Sequence, residues 1–453
     1  MPEISEQEIS QKRLLEINTA LESGMFVYVR KMFQHMPAYD IALLLESSPA
    51  KSRQVLWQLT DPDFQGEILE ELSEEVRKGI LKNMQPEKLA AAAEGMDIDD
   101  LAEVLRTLPD SVYQEVLNSL DSQDQMRVEQ ALSYEEDTAG GIMNTDTITL
   151  RPDVTIDVIM RYLRLRGELP DATDSFYVVN RDDKFIGSVS LANLITARPE
   201  QPISDITNYD TVTIPAAMDE NEVATLFERY DWVSAPVIDD QGHLLGRITI
   251  DDVVDIIREG AEHSMMSMAG LDDEADTFAP VLKSTQQRSV WLGVNLITAL
   301  MAVAVSSLFE GILSQMAILA VLNSLVPSMG GVAGGQTLTL VIRGMALGHI
   351  GENNARNILN KELAIGFLNG VIWALLIASI VSIWKQDLLL GGIIAFAMLM
   401  NLTAAGIAGV SIPLMLKKMD IDPALAGSVI LTTVTDVVGI FAFLGTATLL
   451  LGN

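Results

Sequence analysis

The sequence contains no cysteine and only four histidines among 453 residues. The first absence excludes disulfides and thiolate metal sites, and the second argues against zinc. A chain rich in Asp and Glu but poor in His suits hard, oxygen-seeking cations such as Mg2+. An apolar leader is missing too: MPEISEQEISQKRLLEINTA is charged and lacks an h-region, so no signal peptide is expected and the front half is expected to stay cytoplasmic. Basic residues are scarce in that half. Of 30 Lys and Arg against 62 Asp and Glu, the last 173 residues hold 8 and 7, which leaves 22 basic against 55 acidic residues in the first 280. So acidic a body repels nucleic acid and repels itself unless something cationic sits among its carboxylates. A divalent cation is the expected partner; a merely solvated acidic surface is the plainer alternative. No nucleophile and base constellation marks an enzyme, and the glycine-rich run at 327–336 lacks the strand, Lys and helix context of a phosphate loop.

What is present is a set of long apolar runs after residue 289. Hydropathy predicts five spans, about Val290–Phe309, Met316–Leu347, Leu363–Trp384, Leu388–Leu416 and Pro423–Leu451. Arg343, Arg356 and Lys361 lie around the second connection and Lys417 and Lys418 follow the fourth span, so the positive-inside bias keeps residues 1–289 cytoplasmic and leaves the C-terminus outside. Asp436 lies near the middle of the fifth span. A carboxylate at that depth costs several kcal/mol unless it faces a bundle interior, water or an ion. It is the leading functional candidate, against the alternative of a protonated structural Asp. The second span carries Pro327, Gly330, Gly331, Gly334 and Gly335, which predicts unwound backbone whose carbonyls line an aqueous path. Close helix packing by small residues is the competing reading. Carbonyls and one carboxylate per subunit suit a hydrated hard cation.

From about Glu6 to Ser133 the pattern is helical, with apolar residues at three- and four-residue spacings and Ser, Asp or Pro punctuation every dozen or so residues. Repeated short helices of this kind stack into a superhelix. The acids Asp97, Asp99, Asp100 and Glu103 read equally well as helix capping and as cation ligands. An internal repeat follows. Asp146–Leu150 matches Asp210–Ile214, and Phe185–Leu191 matches Leu244–Ile250, so a β-α-β-β-α unit is present twice. This resembles a tandem CBS pair, and such pairs commonly bind adenine nucleotides, which makes ATP a candidate ligand. After the second copy, Asp252, Asp255, Glu259 and Glu262 share a helix face and repel one another. A cation between that face and a neighbour would relieve the repulsion; a solvated face is the alternative.

In order, these parts resemble the MgtE family of magnesium transporters over essentially the whole chain. The matching residues are Asp137-Thr138-Ala139-Gly140 with Met143, Phe309-Glu310, Gly330-Gly331 with Gly334 and Gln336, Arg343, Asp422-Pro423-Ala424-Leu425 and Thr435-Asp436. The resemblance implies a multidomain chain: a helical N domain at 1–135, CBS units at 136–206 and 207–263, a linker (plug) helix at 264–289, and an all-α five-span membrane domain at 290–453. It implies a homodimer in the cell (inner) membrane, embedded in the lipid bilayer. Gly330, Gly331, Val332, Gly334 and Gln336 would line the path, and Asp436 would hold hydrated Mg2+. It further implies closure by cytoplasmic Mg2+ at Asp99, Glu103, Asp219, Asp231, Asp252, Asp255, Glu259 and Asp422. Two departures bear on selectivity among Mg2+, Co2+, Mn2+ and Ni2+: Val332 stands where the family usually has Asn, and Gly335 where a polar residue is usual. A membrane-anchored CBS sensor without transport is the main rival, and a carrier preferring Co2+ or Mn2+ the next. An anion carrier would want Lys or Arg deep in a span.

Overall fold

The computed structural model describes residues 15–451, apart from 18, 22, 94, 95, 109, 171, 272–275, 352 and 420. The chain divides into two units, one of residues 1–261 with 274–280 and one of 262–273 with 281–453.

After helical residues at 15–17 and 19–21, the first unit carries the α-helices α1 (Phe26–Phe33) through α9 (Ser122–Leu132). Each is short and buries one stripe. In α7 (Ile98–Arg106) Ile98, Leu101, Ala102 and Leu105 face inward at the three- and four-residue spacing of an amphipathic helix. A polar side chain starts α9: the Asp121 carboxylate accepts from the backbone N–H groups of Gln123 and Asp124 at 2.7 and 2.8 Å. The inward stripes meet in one core that includes Leu45, Leu56, Ile68, Leu69 and Leu101.

The repeat read in the sequence appears as two three-stranded sheets of one topology. In the first, β1 (Thr149–Leu150) runs parallel to β2 (Ser175–Val179), which pairs antiparallel with β3 (Phe185–Ser190). In the second, β4 (Ile214–Pro215), β5 (Ser234–Ile238) and β6 (Leu244–Thr249) repeat the order. Even the register shift recurs, at Val178/Val179 and Val237/Ile238. Helices α10 (Ile156–Arg166), α11 (Leu191–Thr196), α12 (Glu220–Tyr230) and α13 (Ile250–Met268) complete the units.

Residues 264–289 do not form one linker helix. Helix α13 leaves the second CBS unit and continues without a break to Met268, while residues from Val281 onward already belong to the first long apolar helix, α14 (Val281–Ser307). Short helices α15 (Glu310–Gln315) and α16 (Ala317–Leu322) lead to α17 (Leu325–Ala346), and then come α18 (Ala355–Lys385), α19 (Leu388–Lys418) and α20 (Pro423–Leu451). Among the described residues, five segments are long and apolar enough to cross a bilayer: α14, the run 317–346, α18, α19 and α20.

The expected unwinding at 327–336 is not there, because α17 stays helical through the whole glycine-rich run. The interruption falls earlier, at Asn323 and Ser324, between α16 and α17. Pro327 sits in the first turn of α17, where its missing N–H removes no intrahelical bond. Each glycine in a helix interior costs about 1 kcal/mol against alanine, and packing offsets that at Gly330 and Gly334. A Cβ on Gly330 would lie 2.2 Å from Asn401 Nδ2, and one on Gly334 2.8 Å from Leu431 Cδ1. These glycines let neighbouring helices approach closely, which is the small-residue packing named above as the alternative.

Candidate functional site

In the membrane unit α17 and α20 pack antiparallel along a seam of small residues. Gly427 meets Leu338, Leu431 meets Gly334, Thr435 meets Gly331 with Oγ1 at 4.0 Å from the Cβ position, and Gly439 meets Pro327. Thr435 is buried and donates to the Thr432 carbonyl at 3.0 Å. Asp436 follows it directly, one helical step off the seam and half-buried. Among the described residues the Asp436 carboxylate has no ion pair and no hydrogen bond, unlike Asp387, whose carboxylate accepts from Leu389 and Leu390 N–H groups to start α19. A cap therefore accounts for Asp387, and nothing in the fold of one chain accounts for Asp436.

The residues expected to line a path divide between two sides of α17. Gly330 and Gly334 are buried against Asn401 and Leu431. Gln336 and Val332 are exposed, the latter by 60%, and Gly331 and Gly335 are half-exposed with no atom within 4 Å of a Cβ at Gly335. An aliphatic side chain thus occupies the outward face where the resemblance leads one to expect an amide.

A second concentration of acids lies in the first unit. Asp97, Asp99 and Asp100 each place one carboxylate oxygen within 4.8 Å of the others. Asp97 makes no side-chain capping bond, and Asp99 Oδ1 is buried without a hydrogen-bond partner, so capping does not explain the group. Burial, and next the nearby Asp252 on α13, push Asp99 well above the usual carboxylate range. Asp100 is raised in the same way by burial and then by Glu70 and Asp252. Burial and Asp251 lift Asp252 to about 7, although it accepts from the Thr249 hydroxyl at 3.0 Å. Burial alone dominates at Glu70, also about 7, whose Oε1 takes the Asp97 backbone N–H at 3.2 Å.

Further along α13, Glu259 is raised by burial and then by Glu103 and Asp255, with Arg258 and Arg77 opposing. Glu103 itself forms an ion pair with Arg77, and Asp255 one with Arg258 at 3.0 Å. Burial, then Asp137, Asp219 and Glu259, lift Glu220 to about 7 at the start of α12, where Asp219 also accepts from the Asn221 N–H at 2.9 Å. One face of α13 therefore meets acids from α7 on one side and from the α12 N-terminus on the other. Carboxylates whose burial and mutual repulsion push them upward, Glu70, Glu220 and Asp252 to about 7, suit a hard cation, whose charge would offset both effects.

Asp231 stands apart from these groups: it is exposed, in the left-handed conformation that ends α12 (φ 53°). Asp422, in the other unit, accepts from the Ala424 and Leu425 N–H groups at 2.9 and 3.0 Å and starts α20, with His263 Nε2 3.5 Å from its Oδ2. The sequence reading passed over Glu70, Glu220 and Glu362. The first two come from segments far apart along the chain. Glu362 carried a visible signal, an acid in the third apolar run, but the expected span began one residue after it, whereas α18 begins at Ala355.

An acidic unit with a CBS pair, followed in the chain by five apolar helices with an unpaired carboxylate beside a glycine-rich seam, is the make-up of a membrane transporter of cations. Comparison with known proteins agrees. Residues 323–446 match the family model described as a divalent cation transporter, residues 36–137 the MgtE intracellular N domain, and residues 139–200 and 203–259 the CBS domain. The chain is 29% identical over 438 residues to the magnesium transporter MgtE of Bacillus subtilis, covering 96% of each protein. It is 28% identical over 450 residues to that of Thermus thermophilus, covering 98% of this chain and 99% of the other. Its soluble part resembles the crystal structure of the cytosolic domain of the Mg2+ channel MgtE in complex with ATP, at 30% identity and a TM-score of 0.50, over 54% of this chain and 99% of that one. The chain belongs to the MgtE family of divalent cation transporters.

Proposed function

We propose that this chain conducts Mg2+ across the cell membrane as a homodimer, past Asp436, and that cytoplasmic Mg2+ closes the path by bridging the acids of α7, α12 and α13. The observation that carries the reading is the Asp436 carboxylate, half-buried in an apolar helix beside the α17 and α20 seam and without an ion pair or hydrogen bond among the described residues. An intramembrane carboxylate needs water, a partner or an ion, and the relatives' names supply magnesium as the ion. Closure follows from the acid groups: with metal bound the faces attract through it, and without metal they repel. A cation shifts that equilibrium only by its differential affinity for the two states, and the crowded face offers such a difference. The soluble part is similar to a cytosolic domain solved in complex with ATP, and its CBS pair is the candidate nucleotide site.

The test is divalent uptake into proteoliposomes holding the purified chain, comparing Mg2+, Co2+ and Mn2+ with metal-free solution at the acidic unit. Saturable Mg2+ uptake is expected; no uptake of any of the three would leave the anchored-sensor reading. A preference for Co2+ or Mn2+ is the second reading, favoured by the exposed Val332, which offers no hydrogen bond to hydration water.

A further inference from the structure

Two polar side chains hold α17 from the helices behind it, and neither belongs to the carboxylate sites above. Asn401 on α19 is fully buried, and its Nδ2 donates to the Val326 carbonyl at 2.7 Å. It fills the crossing of α17, α19 and α20: a Cβ on Gly330 would lie 2.2 Å from Nδ2 and one on Gly439 2.9 Å. Its Oδ1 is buried without a hydrogen-bond partner. A polar atom left in that condition is costly, and an apolar side chain would avoid the cost. Stability alone therefore does not account for an amide here.

Glu362 on α18 is 5% exposed, and its Oε2 accepts from the Thr337 hydroxyl at 3.1 Å. The Lys361 ammonium lies 3.8 Å from its other oxygen. Val326 and Thr337 are roughly 16 Å apart along a straight helix, and all four glycines of the run lie between them. Within that run α17 offers few side-chain ridges of its own, so less of its rotation is fixed there by its own side chains than at its buried ends, Val326 and Leu338. Directed hydrogen bonds in a low-dielectric interior supply what the missing ridges do not.

We propose that Asn401 and Glu362 are positioning residues for the cation path, fixing the rotation of α17 so that Gly331, Val332 and Gln336 stay on its outward face. The inference rests on the reading of α17 and α20 as the walls of that path.

Two measurements on one set of variants test it. Uptake of Mg2+, Co2+ and Mn2+ is compared for the unmodified chain, Thr337→Val, Glu362→Leu, the double variant, Glu362→Gln and Asn401→Leu. Because the chain has no native cysteine, Val332→Cys and Leu338→Cys report rotation through their relative labelling by a water-soluble thiol reagent. Thr337→Val, Glu362→Leu and Asn401→Leu are each expected to cut Mg2+ uptake about fivefold or more, to change the ion ranking, and to lower labelling at 332 relative to 338, with the Thr337 and Glu362 effects non-additive. Glu362→Gln, which still accepts from Thr337, is expected to recover most of the uptake and the original ranking. Unchanged ranking and labelling in Glu362→Leu and Asn401→Leu, or strictly additive Thr337 and Glu362 effects, would overturn the proposal. If Glu362→Leu does not fold, Thr337→Val decides, since it removes one hydroxyl. If the unmodified chain takes up no cation, the underlying reading has failed, and the labelling ratios alone still decide whether these residues set the rotation.

Discussion

Asp436→Ala is expected to reduce divalent uptake about a hundredfold while leaving the melting temperature of the purified protein unchanged or slightly raised. A dication held ~5 Å from a carboxylate through water, at an effective dielectric of roughly 40, gains about 3 kcal/mol, and each 1.4 kcal/mol is about tenfold in occupancy. The stability half of the expectation comes from what Asp436 lacks: with no ion pair or hydrogen bond among the described residues, its removal breaks neither and relieves a half-buried charge. A structural, protonated Asp would behave in the opposite way, with uptake nearly intact and melting lowered. Asp436→Asn keeps the size and loses the charge, so it is expected to resemble Ala in uptake.

The second large effect concerns the acids of the soluble unit. Asp99→Asn combined with Asp252→Asn is expected to raise the Mg2+ concentration that half-closes the path about tenfold or more, each lost charge weakening the bridging cation by roughly 1 kcal/mol. The same change removes repulsion, so in metal-free solution the amides of α7 and α13 are expected to exchange more slowly in the variant than in the unmodified chain. Acids that merely capped helices would give faster exchange on removal, with or without metal. The pH dependence has a definite sign. Glu70, Asp252 and Glu220 are held near 7 in the fold, above the ordinary carboxylate range, so between about 4 and 7 the folded form holds more protons than the unfolded one. Without metal, the stability these groups leave to the fold is greatest below the ordinary range and is lost as pH rises through about 7. With Mg2+ the order reverses, because the cation must displace those protons. Mg2+ protection of α7 and α13 is therefore expected to tighten from pH 6 to pH 8 and to release protons as it forms.

Much of the architecture was legible because it rests on local periodicity. The CBS repeat could be read from two matched strand and helix sets, and the structure returns the same pairing with the same bulge. Five apolar runs gave five long apolar helices. What failed were decisions that packing makes. Pro327 and the glycines look like a break until Asn401 and Leu431 are seen filling the space their missing side chains leave. The tail of the linker reads as amphipathic, yet residues from 281 join the first apolar helix. Candidate ligands such as Asp99, in an acidic first turn, and Asp252, on an acidic helix face, are each visible within their own stretch. Their common environment with Glu70 and Asp100 is not, because it arises from three separate segments. Glu362 was missed by one residue at a span boundary, and a buried hydrogen bond to Thr337 is what singles it out.

The most direct measurement is current through a patch of membrane holding the protein while free Mg2+ on the face of the acidic unit is stepped between none and the millimolar range. The account predicts divalent current in metal-free solution that falls as Mg2+ is added and returns when it is removed, with Asp436→Ala silent under both conditions. A current that grows with Mg2+ on that face, or one that survives in Asp436→Ala, would contradict it.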